Sequence, residues 1–206
     1  MSGIDTMLAR YIHRSLRENL SKKEVEEIEK DLYSWYKMNL EESMMHFDAL
    51  DRVLVNMYGK KAALELEKKF VLPVIKTTDI DSDTVTLDLN DADLIEQIFA
   101  VIKDESSMKI INILKEKPMT SQQIMAHKSL EKYSEKTIYR KMGDLYDMGC
   151  IEILGHTKSE DNRRVRIYQS VIDAIDLRID GNTVAISITI RKEVIDKSMI
   201  LSTVFS

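Results

Sequence analysis

The chain has only two prolines, six glycines and one cysteine among 206 residues. So little Gly and Pro excludes collagen-like and low-complexity chains and suits a helix-rich protein. Cys150, being alone, cannot close an internal disulfide, which fits a reducing compartment. No apolar run approaches the roughly 18 residues of a membrane span. The start, MSGIDTMLARYIHRSL, lacks the apolar centre of a signal peptide. A cytoplasmic protein without membrane partners is therefore expected. Against these absences, 44% of residues are apolar and 32% charged, which supports a sizeable core and excludes a disordered chain.

The formal net charge of −5 argues at first against a polyanionic partner. Its distribution argues otherwise. Residues 106–170 carry 12 Lys/Arg and 8 Asp/Glu, a balance of +4, so the rest of the chain carries −9. A locally basic segment on an acidic body is the charge layout of a small nucleic-acid binder with a separate partner domain.

The expected architecture is α+β and mostly α. Residues 1–75 read as a helical bundle for dimerisation, sensing or partner binding. Ile4, Met7, Leu8, Tyr11, Ile12 and Leu16 form the inner stripe of a first helix. Ser21 with Glu24, and Asn39 with Glu42, are capping-box spacings that start two more. The second carries Val25, Ile28, Leu32, Trp35 and Tyr36 inward; the third runs from Met44 through Phe47 to Met57, with Gly59 at its end. A fourth carries Ala62, Leu66 and Phe70 and stops at Pro73. Residues 76–90 are expected to be a polar linker (76–83) and one short strand (84–89). After the Asn90-Asp91 cap, residues 91–206 begin with an apolar helix through Leu94, Ile98 and Ile102 that needs a covering surface.

From Ser107 the pattern becomes specific. A buried helix ends before Pro118, a capped short helix follows Thr120, and a turn leads to a helix over Glu135–Met148 with Ile138, Met142 and Leu145 inward. Strand 150–154, a charged loop 155–162 and strand 163–169 follow. This is the order of a winged helix-turn-helix. Then Ile175–Ile179 and Val184–Ile190 alternate on either side of Asp180-Gly181-Asn182, an added C-terminal hairpin that the 84–89 strand is expected to join.

Such a fold places one helix in the major groove, where polar and cationic side chains meet base edges. On helix 135–148 the expected base contacts are Lys136, Thr137, Tyr139 and Arg140. Backbone contacts are expected from Gln122, Gln123 and Lys128 around the preceding helix, from Lys141, and from Lys158, Arg163 and Arg164 of the wing. Glu135, Asp144, Glu160 and Asp161 oppose this reading by repelling phosphate.

The stretch from Thr137 to Asp180 resembles archaeal ArsR-like winged-helix transcriptional regulators. It shares their (T/S)-x-Y-R helix, a glycine before the wing, and a wing returning as R-x-x-x-Y-x-S, in Thr137, Tyr139, Arg140, Gly149, Arg164, Tyr168 and Ser170. The resemblance covers about 106–190 and leaves the bundle unassigned. It implies a homodimeric, sequence-specific binder of double-stranded DNA that regulates transcription, with the transcription machinery as a possible further partner. Metal-sensing relatives carry paired cysteines or clustered Cys, His and Asp. Here only Cys150 and the separated His13, His46, His127 and His156 are present, so neither a metal site nor a cofactor is expected. No phosphate loop, nucleophile elbow or His-Glu-x-x-His motif marks an enzyme. The alternative is an adaptor that uses a winged helix to dock protein without touching DNA. Tyr33, Trp35, Tyr36, Phe47 and Tyr58 read as bundle core more readily than as a ligand cavity.

Overall fold

The computed structural model describes residues 2–81, 83–159, 161–180 and 183–205. It is an α+β molecule. The first third is α1 (Gly3–Asn19), α2 (Lys22–Tyr36), α3 (Leu40–Met45), α4 (Phe47–Tyr58) and α5 (Lys60–Val71). Both expected capping boxes form: Ser21 Oγ accepts from the Glu24 N–H and Asn39 Oδ1 from the Glu42 N–H, while each glutamate reaches back to the cap's own N–H. The third expected helix is two. At His46 (φ −129°, ψ 58°) the chain leaves helical geometry, so α3 lies on α1 while α4 runs against α2 and α5. Trp35, expected inward, is 44% exposed, because the buried stripe of α2 runs through Val25, Ile28, Leu32 and Tyr36 and leaves Trp35 on its flank.

The segment expected as a linker is a strand over most of its length. β1 (Ile75–Ile80) pairs antiparallel with β2 (Thr84–Leu89), Ile75 opposite Leu89 and Ile80 opposite Val85. It is an edge strand with only Ile75 fully buried, so pairing holds it rather than the alternation that marks β2. β2 in turn pairs with the C-terminal hairpin, giving the antiparallel order β1-β2-β7-β6.

Next come α6 (Ala92–Lys103), capped by Asp91, and α7 (Glu105–Glu116), capped by Asp104. β3 (Met119–Thr120), α8 (Ser121–Met125), a 3-10 turn at 128–130 and α9 (Glu135–Asp147) follow. β4 (Ile151–Lys158) and β5 (Arg164–Ser170) complete a three-stranded sheet in the order β3-β5-β4. β6 (Ile172–Asp180), β7 (Thr183–Arg191), α10 (Lys192–Ile195) and α11 (Met199–Phe205) end the chain. Gly181 and Asn182, read from the sequence as the hairpin turn, lie outside the described residues, as does Glu160 of the wing. Asp180 and Thr183 on either side of that turn stand opposite each other, as expected.

One hydrophobic cluster runs from Ile4 to Leu201 and includes both sides of residues 76–90. α11 packs on α4 and α5, α1 on α9, and β2 on β7. The α1 start is the tightest point. Gly3 N–H donates to Glu152 Oε2 at 2.8 Å, and Glu152 also accepts from Gln169 Nε2 at 2.5 Å. Asp5 accepts from Ser198 Oγ (2.5 Å) and the Met199 N–H (3.0 Å), capping α11; burial nevertheless raises its pKa. Gly149, at φ +73°, touches Gly3 and Met7 backbone to backbone. A Cβ there would sit 2.6 Å from Met7 N and closer still to the Gly3 carbonyl.

Gly149→Ala therefore meets both a left-handed backbone and a filled space, and should cost about 2–4 kcal/mol in urea unfolding. Gly143→Ala is the control: it sits inside α9 with no atom within 4 Å of the added methyl, and should stabilise by about 0.5–1 kcal/mol. A second prediction concerns Glu67 on α5, 1% exposed, whose carboxyl faces that of Asp51 rather than a cation. Burial, reinforced by the neighbouring Asp51 carboxylate, pushes its pKa up to about 8. A raised acid favours the folded state while protonated. Stability should therefore fall as pH rises from the ordinary carboxylate range towards 8, by at most about 1.4 kcal/mol per pH unit. Glu67→Gln should flatten that fall in denaturant titrations across the same window.

Candidate nucleic-acid interface

α9 begins where Ser134 Oγ accepts the Thr137 N–H, and Ile138, Met142 and Leu145 seat it in the core at the expected spacing. That anchoring turns the opposite face to solvent. Lys136 is exposed, Tyr139 is 67% exposed, and Arg140 stands beside them with Nη1 3.4 Å from Asp144 Oδ2. Thr137 is partly covered, its hydroxyl 2.9 Å from Ser134 Oγ. The four residues expected at base edges thus lie on the first two turns of one helix, three of them open.

Lys141 behaves differently from its expected role as a backbone contact. It turns towards α7, where its ammonium lies 2.7 Å from Asp104 Oδ2 with 18% of the side chain exposed. Asp104 also takes the Ser107 N–H and the Ser106 hydroxyl. Burial works to raise its pKa, but these donors outweigh it and hold the carboxyl well below the usual range. Lys141 is a fastener between α9 and the start of α7.

Around α8, Gln122 and Lys128 are exposed. Gln123 is exposed too, but its Oε1 is already occupied by the Thr120 N–H (2.9 Å) in a capping box. Gln122 and Gln123 face the wing across a polar groove of about 560 Å³ that Thr120, Thr157 and Lys158 also line.

The residues expected to form a wing lie on the outer half of the β4–β5 ribbon and its tip. Lys158 stands opposite Arg164 and His156 opposite Arg166. Directly opposed residues share a face, and so do residues two apart, so all four side chains leave the ribbon on one side. Arg164 Nη2 lies 3.2 Å from His156 Nδ1. At the tip, Ser159 and Arg163 close a turn through Ser159 N–H to the Arg163 carbonyl at 2.9 Å, with Asn162 at φ +63°. Arg163 Nε lies 2.8 Å from Asp161 Oδ2. His156 and Arg166 were missed as candidates; Arg164-Val-Arg166 is an alternation on a strand, and that period was the available signal.

Other sequence candidates do not converge. Among the described residues no three His, Cys, Asp or Glu side chains cluster as metal ligands. Cys150 is fully buried, and burial raises its thiol to about 12. Of the bundle aromatics, Phe47 packs into the core against Phe70 (ring centroids 6.4 Å apart), whereas Tyr33 and Trp35 point outward. No described helix is long and apolar enough to cross a membrane. No family model, curated protein or solved structure matches the chain.

Lys141→Ala separates fastening from phosphate contact. It should lower stability by about 1–3 kcal/mol, since it leaves Asp104 half-covered without its cation. The salt slope of any nucleic-acid binding should stay at the wild-type value; a slope reduced by about one would make Lys141 a phosphate contact.

Proposed function

We propose that the chain is a sequence-specific double-stranded DNA-binding transcriptional regulator of the ArsR-like winged helix-turn-helix kind. In this reading α9 enters the major groove and the β4–β5 wing rests on the phosphate backbone. The succession α7, β3, α8, α9, β4, β5 supports it, because a three-helix head backed by a small sheet is how such modules present a helix. The single observation that carries it is the pairing of two exposed surfaces: Lys136, Tyr139 and Arg140 on the first turns of α9, and Lys158, Arg164 and Arg166 on one side of the ribbon. Arg140 supplies the fork for a guanine, and the wing cations supply affinity without sequence choice.

Two intramolecular contacts stand in the way, and both are weak. Arg140–Asp144 and Arg163–Asp161 are exposed ion pairs. Such pairs are worth about 0–1 kcal/mol and yield to phosphate or base. One feature favours the protein-docking alternative: Tyr139 and Tyr146 expose aromatic surface on α9. A homodimer would match the two-fold symmetry of a palindromic site.

The test is selection of bound duplexes from a random library with the full chain, followed by titration of the enriched site at several salt concentrations. Arg140→Ala should cost about 1–3 kcal/mol on that site and relax the choice of one base pair. Arg164→Ala should weaken every sequence alike and lower the salt slope by about one. A chain that enriches no duplex, and whose weak binding ignores salt, is not a DNA reader.

A further inference from the structure

β6 is an edge of the four-stranded sheet, paired with β7 on one side only. Among the described residues, no hydrogen bond from another element reaches the main chain of 173–180 on its outer side. The opposite edge, β1, is interrupted by a bulge between Thr77 and Asp79, a device that spoils pairing. β6 has its irregularity between Ile172 and Ala174 and runs regularly from there to Asp180. Along that regular stretch the apolar cover gives out: Leu177 is 43% exposed, Ile179 70%, and Val184, opposite Ile179, 44%.

We propose that β6 pairs antiparallel with β6 of a second copy of this chain about a two-fold axis at Leu177, joining the two sheets into one of eight strands. The stretch Ile175-Asp176-Leu177-Arg178-Ile179 is complementary to itself read backwards. With Leu177 opposite Leu177 of the partner copy, Asp176 of each chain faces Arg178 of the other, and Ile175 faces Ile179. A slip of two residues puts Asp176 against Asp176, or Arg178 against Arg178. A slip of one turns the apolar residues to the wrong face. An axis at Ile179 would also set Arg178 against Asp180, but it runs into the turn after Asp180 and leaves Ile175 and Asp176 unpaired; of the registers that pair the whole of 175–179, one satisfies both charge and hydropathy.

The hydrogen-bonding phase agrees. Asp180 and Thr183 flank two residues, so they form a hydrogen-bonded pair, as do Arg178 with Ala185 and Asp176 with Ser187. Ile175, Leu177 and Ile179 then direct their N–H and C=O outward, and in the proposed register these are the residues that meet. Asp176 and Arg178 fall at the intervening close pairs, where cross-strand side chains lie nearest. Neither makes an ion pair within the described chain. The exposed Ile179 of each copy is laid beside the partner's Ile175, which is already half-covered by its own core. The inference does not need the DNA reading, though a two-fold pair of heads suits it.

The test is sedimentation of the full chain over a concentration series. The wild type should dimerise. Arg178→Asp, which sets like charges opposite each other twice per dimer, should weaken dimerisation by at least about tenfold, and so should Asp176→Arg. The double variant Asp176→Arg/Arg178→Asp exchanges the partners and should return to within about threefold of wild type. Both sites are on the surface, and circular dichroism checks the fold of each of the three variants. Leu177→Cys gives an independent readout. Residues facing across such a pair have Cα atoms about 5.5 Å apart, within disulfide reach, so oxidised glutathione should convert this variant into a covalent dimer. A monomeric wild type, an Arg178→Asp dimer as tight as wild type, a double variant no better than the singles, or no Leu177→Cys cross-link would each overturn the assignment. A monomer that still selects duplexes sinks this surface alone, and a dimer that selects none sinks only the DNA reading.

Discussion

The rest of the architecture depends on a backbone-to-backbone contact between Gly3 and Gly149. Side chains cannot be accommodated at either position, so α1 starts directly against the turn that ends α9. Two buried carboxylates surround the contact, and each is provided for. Glu152 takes the Gly3 N–H and Gln169, and Asp5 takes the first N–H groups of α11. A buried charge without such donors would be expensive; with them it fixes geometry, since no other arrangement satisfies the same atoms. The start of α1 is therefore tied by hydrogen bonds to α11 on one side and to β4 and β5 on the other, and it meets the end of α9 by close packing. The bundle is not a separate body hung on a linker, and the face that α9 shows to solvent is set partly by residues more than a hundred positions away.

That coupling bears on how the charge is arranged. α9 is held from behind by Ile138, Met142 and Leu145 and pinned sideways by Lys141 on Asp104. Of its cations, one is consumed in holding the helix and two are left facing out. The β4–β5 ribbon makes a similar division: Arg163 is engaged with Asp161 at the tip, while Lys158, Arg164 and Arg166 leave the ribbon on one side. Five of the twelve cations of residues 106–170 thus stand on two exposed strips, while Lys109, Lys132 and Lys141 are paired with Glu105 and Asp104. Acidic neighbours such as Asp144 soften those strips without cancelling them, because exposed pairs contribute little in water.

What could be read from sequence follows from how local the determinants are. The capping boxes at Ser21, Asn39 and Thr120 and the caps at Asp91 and Ser134 appear where the spacing placed them, because a cap involves only four neighbouring residues. β2 and β7 alternate visibly because one face of each is buried, and β6 alternates with them although Leu177 and Ile179 stand exposed. β1 does not alternate, being an edge strand made by its neighbour, so Lys76–Ile80 read as linker. The break at His46 is set by what α3 and α4 pack on and left no local mark. At the site, Lys136 and Arg140 were legible from helical spacing and Arg166 from strand spacing. Lys141 was not, since whether a lysine at the flank of a helix faces water or a carboxylate depends on where Asp104 lies, 37 residues earlier.

The same distinction between local and long-range determinants bears on where a second copy would bind. By sequence, the apolar helix after Asp91 and the apolar C-terminus are the obvious surfaces to pair. In the folded chain both are largely covered internally: Leu94, Ile98 and Val101 of α6, and Val194, Ile200 and Leu201 near the C-terminus, are buried, with Ile95, Phe99 and Ile102 partly so and Met199 exposed. Hydrophobic content decides that a segment must be covered but not by what. The chain covers its most apolar segments itself, and the surplus appears at Leu177, Ile179 and Val184, where a hairpin outruns the core beneath it. Exposed apolar residues on an unpaired, regular strand edge are a hazard unless something occupies them. Alternating acid and base at Asp176 and Arg178 restricts the occupant to one that presents the opposite order, and a copy of the same strand running the other way does so.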